Sequence, residues 1–228
     1  MNRPNAQIAI EDAAFFNRES IPRQIFSHLW KAIANAEIKP GDRMREGVLA
    51  KKLNVSQSSV REAIQILGHY GLVTREPNRG ARVTDLSPEE VVERLRVRTV
   101  LESYAMLEAK RRITPEGLGV LRQKLETFER SIESDDRLQI GHVDFEFHRT
   151  IWHLSGNKTL EATLVQVLLP LSFFGYQSSV YDGGFAALVD SHKPLLKALE
   201  KGSEESAQEA IRRHISEGWA PVIGKFQD

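Results

Sequence analysis

The sequence predicts a mainly α protein in two parts, an N-terminal winged helix-turn-helix over residues 21–86 and a C-terminal antiparallel helical bundle over residues 87–228. Three observations predict it. Apolar residues recur three and four apart through most of the chain, the spacing that lines one face of a helix. The single stretch that reads as a strand pair surrounds Pro77-Asn78-Arg79-Gly80, a strong turn composition. Ser87-Pro88-Glu89-Glu90 then reads as a capping box with proline at the first helical position, so a new helical unit opens there.

Residues 1–20 show no sustained period and read as an N-terminal extension. Ser20-Ile21-Pro22 starts a first helix, in which Ile25, Leu29 and Ile33 face inward, and Lys39-Pro40-Gly41-Asp42 breaks the chain after it. A second helix is expected over 45–53, with Val48, Leu49 and Leu53 inward. A short turn at Asn54-Val55 leads to a third, capped by Ser56, with Val60, Ala63, Ile64 and Leu67 inward. Leu72–Glu76 and Ala81–Thr84 are the two wing strands. Beyond the boundary, helices are expected near 88–112, 115–134, 137–154, 158–180, 185–201 and 204–226. The breaks fall at Thr114-Pro115, Asp135-Asp136, Gly156-Asn157, Asp182-Gly183-Gly184 and Gly202-Ser203.

Composition narrows the function. The chain has no cysteine, which excludes disulfides and thiolate metal sites and agrees with a reducing, cytoplasmic setting. It has neither an apolar run long enough for a membrane span nor a signal-like leader. The formal net charge of zero hides an asymmetry: residues 1–85 hold 13 Lys/Arg against 9 Asp/Glu (+4), and the remainder 18 against 22 (−4). A basic front and an acidic back point toward nucleic acid at the front.

Two helices joined by a tight turn and followed by a wing place the second helix of the pair in a DNA major groove. Its leading residues, Ser56, Gln57, Ser58 and Ser59 with Arg61 one turn on, all carry hydrogen-bonding side chains. Gln pairs bidentately with adenine and Arg with guanine. Arg79 and Gly80 at the wing tip face an adjacent groove or phosphate, and Arg45 and Lys51 contact the backbone. A small helical domain with a polar cap run, or a protein-binding winged helix, gives a similar pattern. The pieces Pro40-Gly41-Asp42-Arg43-Met44, Leu49–Ser56, Val60-Arg61-Glu62-Ala63, Gly71-Leu72-Val73 and Arg79-Gly80-Ala81-Arg82-Val83 resemble the DNA-binding domain of the GntR family over 21–86. Members usually carry Arg where this chain has Gln57, and a charged or polar residue where it has Gly47. The resemblance therefore implies a double-stranded operator as partner, with a base preference of its own.

In the back half, Asp144 and His148 are four apart and share a helix face, a two-ligand platform for a divalent ion. His192 and His214, on two further helices, can complete a ring of four in the bundle core, although scattered histidines are also ordinary surface or core hydrogen-bonding groups. His142 and His153 fall off that face. Arg98-x-x-Leu101-Glu102, Asp144-x3-His148, Gly156-Asn157, His192 with Leu195-Ala198-Leu199, and Ala210-x3-His214 resemble the FCD effector domain of the FadR subfamily over 90–222. The resemblance implies that Asp144, His148, His192 and His214 hold a divalent metal, zinc foremost with nickel or manganese as alternatives. It also implies a small carboxylate effector rather than an acyl-CoA. Pro194, two residues after His192, is a departure tolerable only where a helix starts or kinks.

The expected function is thus a homodimeric DNA-binding regulator, a repressor, whose operator hold is controlled by a small organic acid chelated at the metal. Arg98 is the candidate second anchor for the acid, its competing role being an ion pair with Glu102 at i,i+4. The alternative is a metal-dependent helical-bundle enzyme with an accessory winged helix. Such an enzyme needs a positioned base near the ligands, and Glu146 points off their face.

Overall fold

The computed structural model describes residues 20–76, 80–134, 137–177, 185–224 and 226, without the side chains of 134, 137–138 and 173–177. The front domain begins with α1 (Ile21–Ala34), opened by Pro22, which buries Ile25, Leu29, Ala32 and Ile33. A two-residue strand β1 (Arg43–Met44) leads into α2 (Glu46–Leu53) and α3 (Gln57–His69), and β2 (Val73–Glu76) and β3 (Gly80–Val83) form the wing. The sheet order is β1-β3-β2, antiparallel throughout, with Met44 opposite Ala81 and Val73 opposite Val83.

The turn between α2 and α3 is made by Asn54, left-handed at φ 54°. Asparagine tolerates that conformation better than other residues with a Cβ, so the chain reverses within three residues. Ser56 accepts a hydrogen bond from the Ser59 amide at 3.1 Å and starts α3, whose buried face is Val60, Ala63, Ile64 and Leu67, as the spacing predicts. One strand was not foreseen in the sequence, and one expectation is corrected. The strand β1 is too short for any alternation to show in sequence. Val48, expected inward, is 58% exposed, because the eight-residue α2 turns Ala50, Leu49 and Leu53 toward the core and leaves Val48 on the opposite face.

Gly80 enters β3 at φ +90°, and a Cβ there would lie 3.0 Å from the Met44 carbonyl oxygen, so the wing closes on β1 only with glycine at this position.

The bundle opens with α4 (Pro88–Arg112), whose start carries the expected reciprocal cap: Glu90 N donates to Ser87 Oγ at 3.2 Å and Ser87 N to Glu90 Oε2 at 2.9 Å. There follow α5 (Pro115–Ser131) with a 3-10 turn at Ile132–Ser134, α6 (Arg137–Leu154), α7 (Lys158–Gln177), α8 (Phe185–Asp190), α9 (Lys193–Lys201) and α10 (Glu204–Gly224). At 25 residues α4 is about 37 Å long. It forms the spine against which α6, α7, α9 and α10 pack.

The expected helix over 185–201 is two helices. Pro194 has no amide proton to donate and clashes with a preceding turn, so α8 stops at Asp190 and α9 restarts with Pro194 in its first turn. His192 occupies the corner between them. The chain breaks expected at Asp135-Asp136 and Asp182-Gly183-Gly184 lie outside the described residues.

The front domain rests on α7. Gly71, at φ +71°, approaches so closely that an added Cβ would lie 3.2 Å from Pro170 Cγ and 3.4 Å from the Gln166 carbonyl oxygen. Arg94 of α4 donates to that same Gln166 carbonyl at 3.4 Å.

Candidate DNA-reading face and candidate metal centre

The leading end of α3 is exposed at Ser56, Gln57 and Ser58 and half-buried at Ser59. Ser58 and Ser59 hydroxyls lie 2.9 and 2.8 Å from Ser56 Oγ, so Ser56 and Ser59 organise the helix start while Ser58 and Gln57 face outward. Glu46, the first residue of α2, receives Gln57 Nε2 at 3.2 Å and Arg61 Nε at 2.9 Å. The Arg61 and Gln57 hydrogen bonds hold the Glu46 carboxyl below its ordinary range, against the effect of partial burial. Sequence reading did not single out Glu46. Its partners lie 11 and 15 residues away and only the turn at Asn54 brings them together. Arg45 and Lys51 are exposed at the two ends of α2. Arg79 lies outside the described residues.

In the bundle, α4 buries Val91, Leu95, Arg98, Glu102, Ala105 and Ala109, spaced alternately four and three apart. Two charged residues therefore occupy the middle of an apolar stripe, where unpaired charge is costly. Beyond the pair itself, their partners come from α6. Arg98 Nε donates to Glu102 Oε1 in the i,i+4 pair. The other oxygen, Oε2, accepts from His148 Nδ1 at 2.9 Å and from Trp152 Nε1 at 3.1 Å, both on α6. Burial disfavours the Glu102 anion, but the Arg98 charge and the hydrogen bonds from His148 and Arg98 prevail and hold the carboxyl far below the usual carboxylate range.

The four ligand candidates converge beside this pair. His148 Nε2 is 3.3 Å from His192 Nε2 and 3.1 Å from His214 Nε2, and Asp144 Oδ1 is 3.0 Å from His192 Nε2. The three ring nitrogens all lie within 4.8 Å of one another and all three rings are buried. Asp144 joins at the edge of the group, against His192. The corner made by Pro194 is what aims His192 inward. His192 Nδ1 donates to the Leu188 carbonyl at 2.8 Å, and Phe128 and Phe147 close edge-on around the ring at 5.0 and 5.1 Å between centroids.

Proton placement gives the chemistry of the cluster. The Nδ1 of His148 faces a carboxylate and that of His192 a carbonyl, so each carries its proton there and turns the Nε2 lone pair toward the others. Burial, reinforced by the nearby Arg98 charge, pushes His214 well below the ordinary imidazole range and keeps its ring neutral. Burial opposes ionisation of Asp144, yet the His192 contact and the Arg98 charge keep its carboxyl low. His148 Nε2 thus sits 3.1 and 3.3 Å from the other two ring nitrogens, and Asp144 Oδ1 3.0 Å from His192 Nε2, contacts that a proton or a metal ion can bridge. For metal–nitrogen bonds of about 2.05 Å, neighbouring ligand atoms lie roughly 2.9 Å apart in an octahedral shell and roughly 3.3 Å in a tetrahedral one. These three spacings fall in that interval, and the three histidines fit a divalent ion, with Asp144 touching His192 but outside the group whose ligand atoms all lie within 4.8 Å of one another.

Arg98 makes the expected pair with Glu102, and its Nη2 lies 3.5 Å from His148 Nε2. His153 is 78% exposed and pairs with Glu161, and His142 is exposed, so both stay outside the cluster, as their helical angle predicts. Phe145, Phe147 and Trp152 are buried; the side chains of Phe173, Phe174 and Tyr176 are outside those described. Glu146 turns away toward Lys124 and Arg149, each at 3.5 Å. Glu102 is the residue that sequence reading undervalued. Its signal was a charge pair inside the apolar stripe of α4.

Comparison with known proteins finds two families along the chain. Residues 93–217 match the family described as the FCD domain, and residues 22–83 match "Bacterial regulatory proteins, gntR family". Among curated relatives, the HTH-type transcriptional regulator YdhC of Bacillus subtilis is 27% identical, covering 85% of this chain and 87% of that protein. A probable D-xylose utilization operon transcriptional repressor of Paenarthrobacter nicotinovorans is also 27% identical, over 87% of both chains. The solved structure of Escherichia coli McbR/YncC superposes with a TM-score of 0.74 at 24% identity, covering 92% of this chain and 100% of that one, which shows the shared fold. The family consists of transcriptional regulators rather than enzymes, and no helix among the described residues is long and apolar enough to cross a membrane. The chain belongs to the gntR family of bacterial regulatory proteins, with an FCD domain behind its winged helix.

Proposed function

We propose that the protein is a cytoplasmic, homodimeric repressor whose hold on its operator is set by a small organic acid bound at a divalent metal, zinc foremost, in the FCD domain. The observation that carries this reading is the convergence of His148, His192 and His214, with Asp144 against His192, in which Glu102 and the Leu188 carbonyl take the Nδ1 protons of His148 and His192 and leave their Nε2 atoms facing the centre. A divalent ion held by His148, His192, His214 and Asp144 would supply the Lewis acidity that attracts a carboxylate.

The chain's own residues do the rest. Glu102 and the Leu188 carbonyl orient His148 and His192. Arg98, in reach of the same centre, offers a guanidinium fork to the acid's second polar group, and Glu102 keeps that guanidinium aligned until the acid arrives. At the other end, Gln57, Ser58 and Arg61 face the bases, Arg45, Lys51 and the wing residues Arg79 and Gly80 contact the backbone, and Ser56 and Ser59 fix the entry of α3. Glu46 arranges Gln57 and Arg61 before contact, and its exposed bonds exchange readily for bonds to DNA. A two-fold dimer sets two such helices against half-sites about 34 Å apart.

The test is binding of the full-length protein to its own promoter fragment across a salt series, with and without divalent metal and a panel of small organic acids. The reading expects affinity that falls steeply with salt, and at least one acid that shifts it about tenfold when metal is present and not after chelation. Salt-dependent binding that no acid alters in either condition contradicts the sensor assignment and leaves the DNA assignment standing.

A further inference from the structure

A cavity of about 320 Å³ lies between the two domains, with walls from α1 and the end of α3 on one side and from α6 and α7 on the other. Its volume is at the lower end of the range typical of small-ligand sites, roughly 300–1,000 Å³. Four aromatic side chains line it: Phe26, Trp30, Tyr70 and Phe145. The first three form a tilted cluster on the front domain, with centroids 6.0 Å apart for Phe26–Trp30 and 5.6 Å for Phe26–Tyr70. Val165 and Leu169 of α7 add aliphatic surface.

The polar lining is cationic in balance. Arg149 is engaged by Glu146 at 3.5 Å and by Glu161 at 3.1 Å. Lys31, exposed near the C-terminal end of α1, lines the cavity without an ion pair among the described residues. Flat aromatic walls favour a flat ring, which they meet edge-on or offset, and an unpaired ammonium at the rim favours an anion.

We propose that this cavity is a second ligand site, distinct from the histidine cluster, that takes a small aromatic carboxylate and joins the DNA-reading domain to the sensing domain. The two sites use different faces of α6: Asp144 and His148 point to the cluster, and His142, Phe145, Glu146 and Arg149 line the cavity. Phe145 also packs edge-on against Trp152 at 5.8 Å, and Trp152 donates to Glu102, which orients His148. A ring seated in the cavity touches both domains at once, so it favours whichever relative placement of them keeps the cavity open to that size. The site needs no metal.

The experiment is a calorimetric titration of the full-length protein with benzoate, and with acetate as a carboxylate lacking the ring, before and after chelation of divalent metal. The expected result is saturable benzoate binding at one per chain in both conditions, with acetate much weaker. Lys31→Gln weakens benzoate about fivefold or more, and Ser27→Trp, which fills the cavity from α1, abolishes binding. Both variants keep the wild-type metal content and thermal midpoint. If Ser27→Trp disturbs folding, Lys31→Gln on the exposed rim carries the test alone. No saturable binding at millimolar benzoate overturns the proposal. So does binding that disappears on chelation, which places the acid at the histidine cluster, or binding that Lys31→Gln leaves untouched.

Discussion

The same chemical pair, an arginine with a glutamate, appears in both halves of the molecule with opposite consequences. Arg61 and Glu46 meet on the reading face, with 52% of the arginine side chain and 19% of the glutamate side chain exposed. Arg98 and Glu102 meet in the middle of the bundle, with 5% and 1% exposed. Water screens the first pair and competes for it, so it contributes little to stability and is free to exchange for a phosphate or a base. The second pair has no water to fall back on. Every buried partner must be present, and Glu102 therefore holds Arg98, His148 and Trp152 together. The exposed pair can exchange its partners, whereas the buried pair is fixed by them.

Breaking each pair sharpens the contrast. The largest effect on stability is expected for Glu102→Ala, which leaves Arg98 buried without its counter-charge and costs about 3–5 kcal/mol. Chemical denaturation measures this directly, and a cost below about 1 kcal/mol removes the pair from its structural role. Next comes Arg61→Ala. It leaves the denaturation midpoint unchanged and lowers operator affinity by roughly ten- to a hundredfold at fixed salt, read by a gel-shift or anisotropy titration. Glu102→Gln keeps the volume and most of the bonding but loses the charge that orients His148. Its metal affinity, measured by chelator competition, falls about 10- to 100-fold. Ser56→Ala removes the cap of α3 and costs about 1 kcal/mol, with a matching loss of operator binding.

The smallest effect is on the pH profile of the metal-free protein. His214 is held neutral in the fold, below its unfolded value of about 6.5. The unfolded chain then binds more protons than the folded one as pH falls below about 6.5, so the stability from this group is complete above that pH and declines below it. Glu102 adds the same sign lower down, its contribution declining only below about pH 4.3. Denaturation midpoints at pH 7.5 and 5.5 check the first step, and His214→Asn flattens it.

Most of the architecture was legible in the sequence because it is local. The capping box at Ser87 and Glu90, the inward faces of α1 and α3 and the break at Thr114-Pro115 rest on neighbours a few residues apart. Long-range partners were not legible. The strand β1 exists because Met44 pairs with Ala81, and two residues carry no period of their own. Val48 fitted an inward pattern that an eight-residue helix is too short to settle. In the centre, the i,i+4 spacing of Asp144 and His148 pointed to a shared face. That Glu102 would gather His148 and Trp152 depends on the packing of α4 on α6, 46 and 50 residues away. Pro194 read as an obstacle in sequence. In the fold it makes the corner that turns His192 inward.

Elemental analysis of purified wild-type protein beside His148→Ala, each checked for folding and for salt-dependent binding to promoter DNA, tests the central claim most directly. The account predicts about one divalent ion per chain in the wild type and almost none in the variant, with DNA binding retained in both. Equal metal content in the two proteins, or none in the wild type after purification without chelator, would contradict it.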